Sequence, residues 1–96
     1  MTTEVRKNTE RARYEIVVDG HLAGFADFEE HGQQVVLPHT VVDPSHRGQG
    51  LAAVLVQSAL DDIRASGFRV VPACSYVAAF IDRHPAYADL VADSNG

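Results

Sequence analysis

The segment Val41-Val42-Asp43-Pro44-Ser45-His46-Arg47-Gly48-Gln49-Gly50-Leu51-Ala52 constrains the fold of this chain more than any other stretch. Val35 to Val42 is a β-branched run that reads as a strand, and Asp43-Pro44 ends it. The loop Ser45 to Gln49 then opens a helix placed from about Gln49 to Ser66 and closed by Gly67. Within that helix Ala52, Leu55, Val56, Ala59 and Ile63 make one apolar face, which has to cover a sheet. Arg69 to Ala73 is a short β-branched strand, so the economical topology pairs it parallel to the first through a right-handed crossover. Pro38 lacks an N–H and calls for a bulge or an edge position within the first strand.

Upstream, Tyr14, Ile16 and Val18 alternate with Glu15, Val17 and Asp19, and Asp19-Gly20 is a favoured two-residue hairpin turn. Leu22 to Phe28 returns as the second strand, and a polar turn over Glu29 to Gln34 leads to the third. Downstream, Ser75 can cap a second helix over Tyr76 to Arg83, which stops near His84-Pro85 because the residue before proline disfavours helix. A short turn over Ala86 to Val91 precedes a polar tail. The fold class is α/β (α+β), with an antiparallel three-stranded meander, a helix, a parallel strand and a second helix in one mixed sheet. Ninety-six residues, 46% of them hydrophobic, make a single domain over 1–96, with a core over about 14–91 and flexible termini.

Charge and cysteine usage narrow the function. Eight Lys and Arg against 13 Asp and Glu give a net charge of −5 without a basic run, so a nucleic-acid partner is not expected. Cys74 is the single cysteine, and Met1 to Tyr14 has no apolar signal core. No run approaches the length of a membrane span, so the expectation is a cytoplasmic protein with no membrane partner, a monomer or a weak homodimer formed through a sheet edge. The five His residues lie far apart with no Cys pair beside them, and no metal site is expected.

Glycines at a helix start let a ligand approach the backbone, and the unpaired N–H groups of the first turn with the helix dipole suit a phosphate or pyrophosphate. Arg47 adds a positive charge beside Gly48 and Gly50, although two such glycines can also simply turn the chain. Gly48 to Ala53 formally fits a dinucleotide fingerprint, but residues 69–76 supply none of the acids that fingerprint expects on its next strand. A Walker A loop is excluded, since no Gly-Lys-Ser or Gly-Lys-Thr occurs.

Arg47-Gly48-Gln49-Gly50-Leu51-Ala52 resembles the acyl-coenzyme A signature of the GNAT acetyltransferase superfamily, with Arg47, Gly50 and Ala52 at its fixed positions. His39-Thr40, Cys74-Ser75-Tyr76 and His84-Pro85-Ala86-Tyr87 resemble further motifs of its small single-domain branch, over about residues 14–91. The resemblance implies that the loop amides from Arg47 to Ala52, hence Gly48, Gln49, Gly50 and Leu51, hold the coenzyme A pyrophosphate. It also implies that the pantetheine arm lies between Val41, Val42 and Asp43 on one strand and Ala73 and Cys74 on the other. The implied activity is N-acetyl transfer from acetyl-coenzyme A, without a metal, to an amine on a small molecule or a lysine side chain. A non-catalytic acyl-coenzyme A binding module and a purely structural domain are the alternatives.

Acetyl transfer needs a neutral amine, a stabilised oxyanion and a tolerated thiolate leaving group. The N–H groups of Val41 and Val42 can serve as oxyanion donors if the splayed strand leaves them unpaired. His39 can take the amine proton, since an imidazole exchanges protons near neutrality, or can support the adjacent loop instead. Cys74 reads either as a nucleophile activated at a helix start or as a small packing residue under the pantetheine arm. Tyr76 can protonate the departing thiolate, as a tyrosine on the following helix does in the superfamily. His46 reads as loop support or a solvated side chain, Tyr87 and His84 as packing and helix-stop residues, and Arg83 as a partner of the helix dipole.

Overall fold

The computed structural model describes residues 2–46 and 48–92. In chain order the strands are β1 (Thr3–Asn8), β2 (Arg13–Val18), β3 (His21–Asp27), β4 (Glu29–His31), β5 (Gln34–Val36) and β6 (Thr40–Val42). Helix α1 (Leu51–Ala65), strand β7 (Arg69–Val71) and helix α2 (Ser75–Arg83) follow, and short 3-10 turns occupy Pro44–His46 and Pro85–Leu90.

The hairpin between β2 and β3 forms as the alternation requires. Asp19 and Gly20 take φ of 50° and 84°, the paired positive values that match a two-residue turn to the strand twist. The expected parallel crossover is also present: β5 pairs with β7 in parallel, Val35 opposite Val70, with α1 between them.

Five local expectations are corrected. The run Val35 to Val42 is two strands in two sheets: β6 joins the order β1-β2-β3-β6, while β5 joins β4-β5-β7. Pro38 stands at the break, and the pairing slips there by one residue, from Glu29 opposite Val36 to Ala26 opposite Thr40, as the expected bulge requires. Strand β1, outside the expected core, pairs antiparallel with β2, Thr3 opposite Val18 and Asn8 opposite Arg13. Part of the expected polar turn is likewise strand, since β4 pairs with β5. Helix α1 begins at Leu51 rather than Gln49, because Gly48 and Gly50 hold φ of 81° and 71°, outside the helical region. The cap of α2 is Cys74 and not Ser75, which is already helical.

A single core joins the two sheets. Leu55, Val56, Ala59, Leu60 and Ile63 of α1 are buried against Tyr14, Ile16 and Ala26 of the first sheet and Val35 and Val70 of the second, and α2 adds Val77, Phe80 and Ile81. At the C-terminal half of α1 the Tyr14 hydroxyl donates to Asp62 at 2.8 Å, and the Lys7 ammonium lies 3.4 Å from the same carboxylate. Helix α1 therefore bridges the two sheets and fixes the angle at which β5 and β6 diverge.

Candidate coenzyme A site

That divergence makes a wedge. Leu37 keeps the chain beside β7 up to Pro38: its N–H donates to Val71 O at 3.0 Å, and its carbonyl accepts from Cys74 N at 2.9 Å. Beyond Pro38 the chain turns to β3, with Phe25 opposite Val41 and Ala26 opposite Thr40. The wedge thus has β6 on one side and the β7–α2 junction on the other.

Backbone pairing decides which groups face it. Asp27 N–H donates to His39 O at 3.0 Å and Asp43 N–H to Ala23 O at 2.7 Å. In an antiparallel ladder such bonded pairs recur every second residue, so Val41 exchanges its hydrogen bonds with Phe25. The N–H groups of Val41 and Asp43 are therefore committed to β3, which corrects the expectation of Val41 as an oxyanion donor. The backbone groups of Thr40 and Val42 point the other way, to the open edge. The side chain of Val41 lies on the outer sheet face, 46% exposed, whereas that of Val42 packs against the core.

Cys74 closes the wedge from the side of α2. Its thiol contacts the Thr40 hydroxyl at 3.6 Å, across 34 residues of sequence. Partial burial pushes the thiol pKa up, but the N–H groups of Val77 and Tyr76 at the start of α2, with the hydroxyl and N–H of Thr40, outweigh it and bring the pKa below that of an ordinary cysteine. No side-chain capping hydrogen bond is formed at this helix start, so the amides act on the sulfur through their dipoles. Tyr76 stands in the first turn of α2, 38% exposed. His39 is exposed in the link between β5 and β6, next to Thr40, and its ring makes no hydrogen bond among the described residues. The structure thus joins Cys74 to β6 directly, and brings His39 and Tyr76 near it only through their chain neighbours.

The glycine loop lies at the other end of β6. The Asp43 carboxylate accepts from Ser45 N–H at 2.9 Å and from the Ser45 hydroxyl at 2.8 Å, which holds its pKa below the usual carboxylate range and fixes the Pro44–His46 turn. Gly50 caps α1 in a left-handed conformation without a side-chain partner, and the first helical hydrogen bond runs from Val54 N to Gly50 O at 3.3 Å. The amides of Leu51, Ala52 and Ala53 therefore point out of the helix with no intrahelical acceptor. A cavity of about 250 Å³ sits there, lined by Val42, His46, Gly48, Gly50, Leu51 and Ala52. Val42 lines this cavity and presents its backbone to the wedge, so the two spaces meet at one residue. Of the expected loop residues, Gly48, Gln49 and Gly50 are exposed, Leu51 is buried and Ala52 half-buried, and Arg47 lies outside the described residues.

Free helix amides, two left-handed glycines and a cavity running back to an open strand edge suit a phosphate-bearing chain better than a metal. Among the described residues no group of three or more His, Cys, Asp or Glu could hold an ion. No helix among them is long and apolar enough to cross a membrane. Sequence reasoning gave no role to Thr40, although it stood in the quoted His39-Thr40 pair. Its contact with Cys74 depends on the wedge angle, which no local pattern encodes.

The split mixed sheet, with unpaired amides at the start of α1 and a thiol in the wedge, is that of an acetyltransferase fold. The family model of the GCN5-related N-acetyl-transferases matches residues 13–90, and the chain belongs to that family. Among solved structures it is similar to a GCN5-like protein from Staphylococcus aureus, at 15% identity and a TM-score of 0.71 over 93% of this chain and 87% of that one. It is also similar to the ribosomal-protein-S18-alanine N-acetyltransferase from Escherichia coli, at 23% identity and a TM-score of 0.64 over 80% of this chain and 54% of the other. A GNAT family N-acetyltransferase from Escherichia coli, solved in complex with coenzyme A, shares 32% identity and a TM-score of 0.55 over 60% of this chain and 37% of that one. The chain thus spans 54% and 37% of the two Escherichia coli proteins, but most of the Staphylococcus aureus one.

Proposed function

We propose that this chain transfers an acetyl group from acetyl-coenzyme A to an amine, on a small molecule or a lysine side chain, through Cys74. The observation that carries this reading is the position of the Cys74 sulfur, 3.6 Å from Thr40 at the open edge of β6, with the amides of α2 and Thr40 lowering its pKa. The loop Gly48 to Ala52, with Arg47, holds the pyrophosphate, and Val42 and Asp43 border the pantetheine path on the side opposite Cys74. Acetyl-coenzyme A supplies the acyl group as a thioester.

The Cys74 thiolate attacks the acetyl carbonyl carbon, so that a bond to the Cys74 sulfur forms as the bond to the coenzyme A sulfur breaks, and Tyr76 gives the departing sulfur a proton. Val42 N–H, free at the strand edge, stabilises the negative charge on the carbonyl oxygen. The amine then attacks the acetyl group on Cys74, the C–N bond forms, and the Cys74 sulfur leaves again as thiolate. His39 takes the surplus amine proton and passes it to water, from which Tyr76 is reprotonated. A net charge of −5 favours a cationic acceptor.

Incubation with isotopically labelled acetyl-coenzyme A without acceptor, followed by peptide mass spectrometry, tests this. The expected result is label on the peptide containing Cys74, discharged by added polyamine or a lysine peptide, and absent in Cys74→Ala, which still binds coenzyme A. Turnover by Cys74→Ala at the wild-type rate would mean direct attack by the amine. Binding by the wild type without transfer to any amine would mean an acyl-coenzyme A binding module.

A further inference from the structure

The face of the first sheet turned away from α1 carries another cavity beside the wedge. It measures about 280 Å³ and is lined by Leu22, Phe25, Val41, Asp43 and Pro44. Leu22 and Val41 are large apolar side chains left about half-exposed there. Asp43 is the one charged residue among its described lining residues. The ladder bonds of His39, Val41 and Asp43 to β3 keep the strand alternation regular, so these three side chains share the outer face while Thr40 and Val42 turn to the other. Val41 thus stands between Thr40, whose hydroxyl touches the Cys74 sulfur, and Asp43 at the glycine-loop end. The cavity runs along β6 at the margin of the opening, with His39 on the same face at the Cys74 end.

A space walled by Leu22, Phe25, Val41 and Pro44 takes up a carbon skeleton, and the Asp43 carboxylate takes up a cation. An amine with one nitrogen, reacting at Cys74, would lay an apolar tail against that carboxylate and leave its charge unmatched. An amine with a second ammonium group matches both. Thr40 and Asp43 are three residues apart along the chain, about 10 Å at the usual strand rise, which a diamine of about five to seven methylenes spans.

We propose that the acceptor is a linear diamine with an apolar spacer, bound along the outer face of β6 with one ammonium group on Asp43 and the other nitrogen at the acetylated Cys74. This rests on the reading that transfer runs through Cys74. The reacting nitrogen forms the C–N bond as the Cys74 sulfur leaves and gives its surplus proton to His39, while the second nitrogen keeps its proton and only anchors. Leu22, Phe25 and Val41 set the preferred spacer by covering its methylenes.

The test is steady-state acetyl transfer by the wild type, Asp43→Asn and Leu22→Lys to diamines from propane-diamine to octane-diamine and to hexylamine. Asp43→Asn keeps an oxygen to accept from Ser45 and removes only the charge, and Leu22→Lys places a like charge beside the second ammonium group at an exposed position. The expected result is a wild-type kcat/KM that peaks near hexane-diamine and exceeds that for hexylamine by roughly fivefold, the scale of one exposed ion pair. Both variants erase that margin by raising KM for the diamine, with its kcat kept. If Asp43→Asn loses the fold, Leu22→Lys decides. Equal kcat/KM for hexylamine and hexane-diamine in the wild type overturns the inference and leaves transfer through Cys74 standing. A margin that survives both substitutions overturns it too, as does an equal loss for both acceptors in Asp43→Asn, which would mark a support of the loop. A wild type that takes no label on Cys74 and acetylates no amine overturns the transfer reading, and the inference with it.

Discussion

Gly24→Ala tests the geometry of the wedge from the side away from the ligand. Gly24 lies on β3 opposite Val42, and a Cβ there would come within 2.5 Å of Val41 O, 3.1 Å of Val42 Cα and 3.2 Å of Val42 Cγ2. The closest of these atoms is a backbone carbonyl, so no side-chain rotation relieves it. Ordinary contact begins at 3.4 Å, which requires β6 to retreat by about 0.9 Å. The strand has three residues and an open far edge, so it yields toward the wedge and narrows it. Overpacking of this kind costs about 1–3 kcal/mol. For a domain of this size each kcal/mol lowers Tm by about 4–8 °C. A displacement near 1 Å at a reacting centre also lowers the rate of transfer, by up to about a hundredfold. Urea unfolding followed by circular dichroism reads the first effect, and acetyl transfer in Gly24→Ala under stabilising conditions reads the second. A variant within about 0.5 kcal/mol of the wild type, with unchanged transfer, would refute the close approach of β3 and β6.

Tyr14→Phe removes the bond to Asp62 at the far half of α1 and should cost about 0.5–1.5 kcal/mol while leaving coenzyme A affinity unchanged, as chemical unfolding and titration will show. Burial, with Asp62 beside the hydroxyl, raises the Tyr14 pKa in the folded state, so its stabilisation is present below the unfolded value of about 10 and is lost as pH rises beyond it. Stability of Tyr14→Phe should accordingly fall less steeply than wild type in that alkaline range. At the wedge, burial opposes ionisation of Cys74, but the α2 amides and Thr40 prevail and lower its pKa. Iodoacetamide alkylation should therefore reach half its maximal rate below the pH of about 8.5 typical of a free cysteine, and Thr40→Val should move that midpoint upward. A wild-type midpoint at or above the free value contradicts the assigned environment.

Features set by local rules were legible in the sequence. Asp19-Gly20 could form only a few turns and the apolar spacing of α1 left one face to bury, whereas the start of α1 was read two residues early because the left-handed turns at Gly48 and Gly50 are set by the loop and not by the apolar spacing. Strand β1 was hidden because Glu4, Arg6 and Lys7 protect an edge with charge, which erases the alternation that marks a half-buried strand. The contact of Cys74 with Thr40 was hidden for another reason, since it depends on how far β6 stands from β7.

That distance follows from Pro38. Had the run from Val35 to Val42 stayed one regular strand, the alternation that turns the backbone of Gln33 and Leu37 to β7 would have turned that of His39 and Val41 there too, and that of Thr40 and Val42 away from it. The one-residue slip at Pro38 reverses that alternation: Leu37 makes the last bonds to Val71 and Cys74, Val41 pairs with β3, and Thr40 and Val42 face the opening. The same break brings Cys74 to the opening, because the residue that ends the ladder on one side is bonded to the residue that caps α2 on the other. A chain of 96 residues can therefore form this cleft from one interrupted strand, with α1 holding both halves.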